Sequence, residues 1–269
     1  MKKILVELNQ NCNLNCEYCF YKDYGRKNKS LSVENLIEKN IQDYDVIYLT
    51  GGEPFLNKDI KNILFYLNKI NKKVSIYTNG IILNKMKDIE FKENLNLLDE
   101  IVITLDSFNK DYNLRENREK EVLECIEKIV DFSREKLKVK IGINLYNLEE
   151  LEIILENLVK KGVQSITFNL IHDIKKSDKS MQISSEDEFT KMFSILKKYK
   201  KYINESLIVD FYDYYKKKSK NLIKKCTCGE KFFFMNCEGK EYSCPANLGE
   251  EKNKNKCFSE ECINLWEMF

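Results

Sequence analysis

The sequence predicts an α/β fold in which six β-then-α units form a parallel sheet and a small cysteine-rich module follows. Strand-like and helix-like segments alternate through most of the 269 residues, and the cysteines gather near the two ends of the chain. The strand-like segments are short β-branched apolar runs, which are typical of buried parallel strands. They are Ile4–Leu8, Val46–Thr50, Val74–Thr78, Ile101–Leu105, Val139–Leu145 and Ser165–Ile171. Parallel strands are joined by crossover connections. In sheets of this kind ligands bind at the carboxyl ends of the strands, and we expect the same here.

Amphipathic segments between the runs supply the predicted crossover helices. They are Val33–Ile41, Lys58–Ile70, Ile82–Phe91, Glu119–Glu135, Leu148–Lys160 and Glu186–Tyr202. Ser32 and Ser184 are predicted N-caps, because a serine hydroxyl accepts a hydrogen bond from a free backbone N–H of the first turn. Gly162 is predicted to end the fifth helix, where glycine tolerates a left-handed backbone.

The composition is that of a soluble globular protein. Lys and Arg number 45 and Asp and Glu 43, so the net charge of +2 gives no overall attraction for nucleic acid. No apolar run approaches the ~20 residues that a membrane span requires. The N-terminal segment MKKILVELNQNC lacks a long apolar stretch and a cleavage site, so it is interpreted as a first strand and not as a secretory signal. We therefore expect a cytoplasmic protein without a nucleic-acid or membrane partner.

The cysteines form two groups and one isolated residue. The first group is Cys12, Cys16 and Cys19; the second is Cys226, Cys228, Cys237, Cys244, Cys257 and Cys262. Cys125 stands alone in an amphipathic segment and is predicted to be a small core residue. Without an export signal, clustered cysteines indicate metal or iron–sulfur ligands more often than disulfides.

The first group follows the first predicted strand in the loop CNLNCEYCF. Three thiolates in one short loop can bind three irons of a cubane cluster and leave the fourth iron open to a small molecule. A zinc site is the alternative.

The second motif, Gly51-Gly52-Glu53-Pro54, follows the second predicted strand. Two glycines allow the backbone to approach a ligand closely, and Pro54 stiffens the exit. Glu53 supplies a carboxylate that can receive an ammonium group. An ordinary turn with a solvated glutamate is the alternative.

Together the two motifs resemble the signature of the radical S-adenosylmethionine (SAM) superfamily. The resemblance implies a partial (β/α)6 TIM-like barrel and one [4Fe–4S] cluster that binds SAM. One-electron reduction then cleaves SAM to methionine and a 5′-deoxyadenosyl radical, which abstracts a substrate hydrogen. It further implies that Glu53 contacts the methionine amino group, that Phe20 lies near the adenine, and that Tyr18 presents backbone atoms to the nucleotide.

Weaker resemblances imply further cofactor contacts at the following strand ends. The residues are Thr78, Asn79, Thr104, Asp106, Arg115 and Asn144. Thr104 and Arg115 would contact the SAM carboxylate, although the glycine that the family has after this arginine is absent here. Asn144 or Asn147 would meet the ribose. For Asp106 and Asn144, capping of a loop by the polar side chain is the alternative.

The tail resembles the C-terminal module of SPASM and Twitch domains. The chain is accordingly divided into a barrel at 1–205 and a module at 206–269. The segment FFFMNCEGKEYSCP predicts a β-hairpin with Glu238-Gly239 at the turn. The run of cysteines typical of a full SPASM domain is absent, so a shortened Twitch-like module with one auxiliary [4Fe–4S] cluster is expected, with zinc as the alternative. Its ligands would be Cys228, Cys244, Cys257 and Cys262, with Cys226 as the replacement.

These features lead to the hypothesis of a radical SAM enzyme that modifies a ribosomally made peptide or protein. The product would be a crosslink, a thioether, an oxidation or an epimerisation, and a flavodoxin or ferredoxin would donate electrons. Since the first strand begins near residue 3, we expect no leader-recognition domain before it. A Twitch-type dehydrogenase or cyclase of a small molecule is one alternative, and a non-catalytic iron–sulfur electron carrier is another.

Overall fold

The structure is a computed structural model and describes residues 1–16, 18, 19, 21, 28–108, 118–170, 181–203 and 228–245. Within these residues one sheet has the strand order β6-β5-β4-β3-β2-β1-β7-β8. The strands are β1 Lys3–Glu7, β2 Val46–Thr50, β3 Lys73–Thr78, β4 Glu100–Thr104, β5 Leu137–Ile143, β6 Ile166–Leu170, β7 Phe232–Met235 and β8 Glu241–Tyr242. The first six strands pair in parallel in chain order, so the predicted α/β class and partial barrel are confirmed.

The predicted helices are present, but their ends differ, the third is divided in two, and a short helix precedes the fifth. They are α1 Val33–Glu38, α2 Ile60–Lys69, α3 Ile81–Asn84, α4 Asp88–Asn96, α5 Glu119–Ser133, α6 Leu145–Leu148, α7 Leu151–Lys160 and α8 Glu186–Lys198. The helix predicted over Ile82–Phe91 is two helices, because extended backbone at Lys87 interrupts it. None of the described helices has the length and apolarity needed to cross a membrane.

The helix caps are partly as predicted. Ser32 caps α1, and Gly162 follows α7 with a left-handed φ of 87°. The N-cap of α8 is Ser185 and not Ser184, because the hydroxyl of Ser185 accepts from the backbone N–H of Glu188 at 3.2 Å. The carboxylate of Glu188 accepts from the Ser185 N–H in return, which completes a capping box.

The predicted hairpin is present and extends the main sheet. β7 pairs in parallel with β1, and β8 pairs antiparallel with β7. Gly239 lies in the turn with φ 74°, and its N–H donates to the carbonyl of Asn236 at 2.8 Å. The hairpin is thus fixed beside the strand that precedes the first cysteine group. The division of the chain at residue 205 remains a prediction.

Successive strand residues point to opposite faces of the sheet, and the two faces have different surroundings. One face is covered by the helices in the main hydrophobic core, which includes Ile4, Ile47 and the fully buried Cys125. The burial of Cys125 confirms its predicted place in the core. The other face, here called the inner face, has a smaller cluster: Leu5, Val46, Tyr48, Phe232 and Phe234, with Tyr77, Cys228 and Tyr242 packed against it.

Candidate active site

The segment that follows β1 lies at the carboxyl edge of the sheet and continues the pairing with the segment that follows β2. The Leu8 N–H donates to the Thr50 carbonyl at 2.8 Å. The N–H groups of Gly52 and Glu53 then donate to the carbonyls of Asn9 and Asn11 at 2.8 and 2.7 Å. The two sequence motifs are therefore in direct contact through their backbones.

The glycines of the second motif are explained by this contact. A Cβ atom on Gly51 would lie 2.4 Å from the carbonyl oxygen of Asn9, and one on Gly52 would lie 2.2 Å from that of Asn11. Both distances are far below van der Waals contact, and both oxygens belong to backbone. The sequence predicted that the two glycines let the backbone approach a ligand closely. The structure shows that they let the backbone approach the cysteine loop, and an approach to a ligand stays a prediction.

Glu53 links the ends of β2 and β3. Its carboxylate is fully buried and accepts from the Thr78 hydroxyl at 2.7 Å, from the Asn79 N–H at 2.9 Å and from the Phe55 N–H at 3.2 Å. Pro54, also buried, begins the short 3-10 turn Pro54–Leu56. The predicted contact of Glu53 with an ammonium group stays a prediction.

Glu53→Gln is expected to lower the free energy of unfolding by about 1–3 kcal/mol, because an amide oxygen cannot serve all three donors and one of them is left unsatisfied. Thermal unfolding of the protein without SAM measures this effect. Glu238→Gln is the matched control, since Glu238 lies at the hairpin surface in an exposed pair with Lys29. Equal melting temperatures for Glu53→Gln and the unmodified protein would contradict a structural role of this carboxylate.

Thr78 and Asn79, predicted as cofactor contacts, are buried and contact the two motifs. The Asn79 side chain donates to Asn13 Oδ1 at 2.9 Å, and its Nδ2 lies 3.9 Å from Cys12 Sγ. The segment that follows β3 therefore supports the loop that holds the first cysteine. Direct contact of Thr78 and Asn79 with a cofactor stays a prediction.

The three thiols of the first cysteine group fit the predicted cluster in their chemistry. Cys12, Cys16 and Cys19 are partly exposed thiols of one loop, and the Leu14 N–H donates to Cys12 Sγ at 3.4 Å. Hydrogen bonds of this kind stabilise a thiolate ligand. No three potential metal ligands among the described residues converge on a single ion. A cubane cluster binds each cysteine at a different iron, so it does not need such convergence.

Asn9 provides an unused acceptor next to the second motif. Its Nδ2 donates to the Glu53 carbonyl at 3.1 Å, whereas its buried Oδ1 has no hydrogen-bond partner in the described residues. Buried polar atoms are nearly always paired in folded proteins, so this oxygen suits a donor that is not part of the described chain. An ammonium group is such a donor.

Tyr18 and Asp106 connect the cysteine loop with the ends of β4 and β5. The Tyr18 hydroxyl donates to one carboxylate oxygen of the fully buried Asp106. The other oxygen accepts from the Gly142 N–H at 2.7 Å. Asp106 therefore joins the segment after β4 to the cysteine loop and to β5. This is a structural role of the kind that was given as the alternative to a cofactor contact. Thr104, the last residue of β4, is partly exposed beside this link.

Asn144 acts as a helix cap. It is fully buried at the start of α6, and its Oδ1 accepts from the N–H groups of Tyr146 and Asn147 at 2.9 and 3.2 Å. The structure thus shows the capping role that the sequence left as an alternative. Its contact with a ribose stays a prediction.

Glu7 is a site residue that the sequence reasoning missed. It is the last residue of β1, is fully buried, and accepts from the Tyr21 hydroxyl and from the Cys237 N–H, the latter at 2.9 Å. Burial, and then the charge of Glu7, raise the pKa of the Cys237 thiol to about 12. The hairpin turn is thereby tied to the cysteine loop. The feature of the sequence that could have indicated Glu7 is a charged residue at the end of the apolar strand KILVE.

The second cysteine group is described only in part. Cys228 and Cys244 flank the hairpin, and their thiols are partly exposed. Their assignment as ligands stays a prediction. The other predicted residues Phe20, Arg115, Cys226, Cys257 and Cys262 lie outside the described residues.

Comparison with known sequences gives relatives of two kinds. The chain is 28% identical over 280 aligned residues to the uncharacterized protein MJ0907 of Methanocaldococcus jannaschii, with 95% of this chain and 91% of that protein covered. It is also 28% identical to a probable GTP 3′,8-cyclase of Saccharolobus islandicus, with 75% and 68% covered.

Comparison with solved structures shows the fold. Streptococcus suis SuiB bound to its precursor peptide SuiA matches with a TM-score of 0.74 at 14% identity, over 98% of this chain and 64% of SuiB. The chain therefore spans about two thirds of the length of SuiB. The enzyme anSMEcpe with bound AdoMet matches with a TM-score of 0.68 at 15% identity, over 99% of this chain and 80% of that one.

The sequence profile of one family matches this chain. It is the profile of the radical SAM superfamily, and it covers residues 6–158, which is more than half of the chain. The matched range contains both motifs and the contacts between them. The chain belongs to the radical SAM superfamily.

Proposed function

We propose that this protein is a radical SAM enzyme that removes a hydrogen atom from a side chain or the backbone of a ribosomally made peptide or protein. The observation that carries the proposal is the extent of the structural match. It covers 98% of the chain against SuiB, whose structure contains a precursor peptide, and 91% against anSMEcpe with bound AdoMet and a peptide. The match therefore spans the barrel and the hairpin together.

In this proposal the residues of the carboxyl edge bind and orient the cofactors. Cys12, Cys16 and Cys19 would hold one [4Fe–4S] cluster. When bound, the cluster supplies the electron that cleaves SAM to methionine and the 5′-deoxyadenosyl radical. The backbone contacts of Gly52 and the side chain of Asn79 fix the loop that holds the cluster. Asn9 Oδ1, beside Glu53, offers the acceptor for the ammonium group of SAM.

The hairpin would belong to a shortened Twitch-like module with an auxiliary [4Fe–4S] cluster. Cys228 and Cys244 would be two of its ligands, and the remaining ligands would come from the tail. The contact of Glu7 with the Cys237 N–H places this hairpin against the loop of the first cluster. The partners would be a precursor peptide and a flavodoxin or ferredoxin that supplies electrons.

Co-expression with a short peptide encoded beside the gene tests the peptide proposal. The expected result is a peptide that has lost two hydrogen atoms, or an epimerised peptide. The epimerised peptide would have an unchanged mass when made in H₂O and would carry deuterium at the epimerised centre when made in D₂O. With the anaerobically reconstituted protein, the peptide is expected to stimulate formation of 5′-deoxyadenosine from SAM. A protein that cleaves SAM equally well with and without each neighbouring peptide would contradict the proposal.

A second candidate is cyclisation of a nucleotide, which is favoured by the similarity to probable GTP 3′,8-cyclases. The same assay distinguishes it. Stimulation of 5′-deoxyadenosine formation by GTP, together with a cyclised product and no effect of peptides, would replace the peptide proposal by this one.

A further inference from the structure

Asn79 is a buried residue whose side chain is fixed at both of its polar atoms. It follows β3 directly, and its Oδ1 accepts from the Ile81 N–H at 3.0 Å. Its Nδ2 donates to Asn13 Oδ1 at 2.9 Å. Because the amide oxygen faces a backbone donor and the amide nitrogen faces an acceptor, these hydrogen bonds determine the orientation of the amide.

This orientation directs the amide nitrogen to the sulfur of the first cysteine. Asn79 Nδ2 lies 3.9 Å from Cys12 Sγ, and the Leu14 N–H donates to the same sulfur at 3.4 Å. The backbone of Asn79 is held as well, since its N–H donates to the buried carboxylate of Glu53 at 2.9 Å. The sulfur is therefore approached by an N–H group from its own loop and by one from the segment after β3.

The direction of this N–H group matters for a cluster bound at the cysteine loop. Such a cluster becomes more negative by one charge when it takes up an electron, and part of that charge resides on the ligand sulfurs. An N–H dipole directed at a ligand sulfur favours the reduced state and raises the reduction potential. Because Asn79 is only 5% exposed, water screens its dipole weakly.

We propose that Asn79 is a positioning residue that acts through Cys12 and raises the reduction potential of the [4Fe–4S] cluster. The cluster takes up one electron from the external donor, and no bond of Asn79 is made or broken. The inference rests on the cluster assigned in the proposed function, and it applies to a peptide substrate and to a nucleotide alike. It names a residue that eases the reduction on which cleavage of SAM depends.

Asn79→Ser tests the inference in a redox titration of the anaerobically reconstituted full chain without SAM, monitored by electron paramagnetic resonance. A serine hydroxyl can accept from the Ile81 N–H in the same kind of turn, but it is too short to reach Cys12 Sγ. The ratio of reduced to oxidised cluster at a fixed potential is expected to fall at least about threefold, which corresponds to about 28 mV for one electron. An unchanged midpoint potential overturns the proposal.

Asn57→Ser is the matched control. Asn57 is also buried, and its Oδ1 accepts from the N–H two residues further on, that of Asp59, at 2.8 Å. Its Nδ2 donates to the carbonyls of Leu8 and Leu31, at 3.0 and 2.9 Å, which precede and follow the cysteine loop in the chain. This variant is expected to lose at least as much stability as Asn79→Ser and to keep its midpoint potential. Equal shifts of the potential in both variants would overturn the proposal.

Two further measurements apply if Asn79→Ser does not fold. Asn79→Asp keeps an acceptor for the Ile81 N–H and replaces the donor by an oxygen of similar size, so a fall in potential is again expected, and an unchanged potential overturns the proposal. In the unmodified protein with isotopically labelled nitrogen in the asparagine side chains, pulsed electron paramagnetic resonance of the reduced cluster is expected to detect a coupled nitrogen. Absence of this coupling also overturns the proposal.

The inference and the proposed function fail separately in these experiments. A potential that falls in Asn79→Ser, in a protein whose SAM cleavage responds to no peptide, contradicts the peptide function and leaves the role of Asn79 intact. Peptide-dependent SAM cleavage, together with equal potentials in Asn79→Ser and the unmodified protein, has the opposite meaning.

Discussion

Cys16→Ala is expected to abolish formation of 5′-deoxyadenosine from SAM, to the limit of detection. In the proposed site each of the three thiolates would bind one iron, and loss of one ligand would leave a cluster that cannot be retained with a single open iron. Cys12→Ala and Cys19→Ala are expected to behave in the same way. Iron content and visible absorbance after anaerobic reconstitution measure the cluster, and chromatography of 5′-deoxyadenosine measures the cleavage.

Cys125→Ala is the control for the loss of a cysteine. Cys125 is a fully buried residue of α5, so its replacement by alanine is expected to cost about 1–2 kcal/mol of stability and to remove no ligand. Its iron content per folded chain is expected to equal that of the unmodified protein. If Cys16→Ala retained the iron and the SAM cleavage of this control, the assignment of the cysteine loop would be wrong.

Gly52→Ala is expected to have the second largest effect, although it removes no ligand. The added Cβ would lie 2.2 Å from the Asn11 oxygen and 2.7 Å from the Gln10 oxygen, and backbone atoms cannot rotate away. The loop before Cys12 must therefore move. We expect a loss of about 3 kcal/mol in the free energy of unfolding, which corresponds to a fall of roughly 6–12 °C in melting temperature. We also expect a loss of most cluster iron.

Gly162→Ala is the control for Gly52→Ala. It separates the effect on the cysteine loop from the general loss of stability when a glycine is replaced by alanine. Gly162 has a left-handed φ of 87° after α7, and alanine there costs about 1–2 kcal/mol. Its nearest contacts are side-chain atoms of Val130 and Arg134, at 3.2 and 3.4 Å. This variant is expected to keep its full iron content. A Gly52→Ala protein with the stability and iron content of Gly162→Ala would contradict the role given to Gly52.

Local patterns predicted most of the fold. Each described strand from β1 to β6 lies within two residues of its predicted bounds, because β-branched apolar runs are short and clearly bounded. The helix ends were less certain, as α3 and α4 show. The residue pattern over Ile82–Phe91 predicted one helix, whereas extended backbone at Lys87 separates α3 from α4.

Site residues could be predicted from the sequence where they belong to a motif. They could not be predicted where only a tertiary contact gives them a role. The cysteine triplet and Gly51–Pro54 could be found from their residue types and spacing. Glu7 could not be assigned a role, because a charged residue in an apolar strand does not reveal what it faces. Asn144 shows the opposite case, since its polar side chain after a strand proved to cap α6.

The sequence alone therefore determined the class of protein, the parallel order of the units and the position of the cysteine loop after the first strand. These depend on local periodicity and on residue types at short spacing. Only the tertiary structure showed that Gly52 packs against the backbone before Cys12, that β7 pairs with β1, and that Glu7 joins the hairpin to the cysteine loop. The physical reason is that these contacts join residues up to 230 positions apart, and such contacts depend on how the sheet brings distant strands side by side.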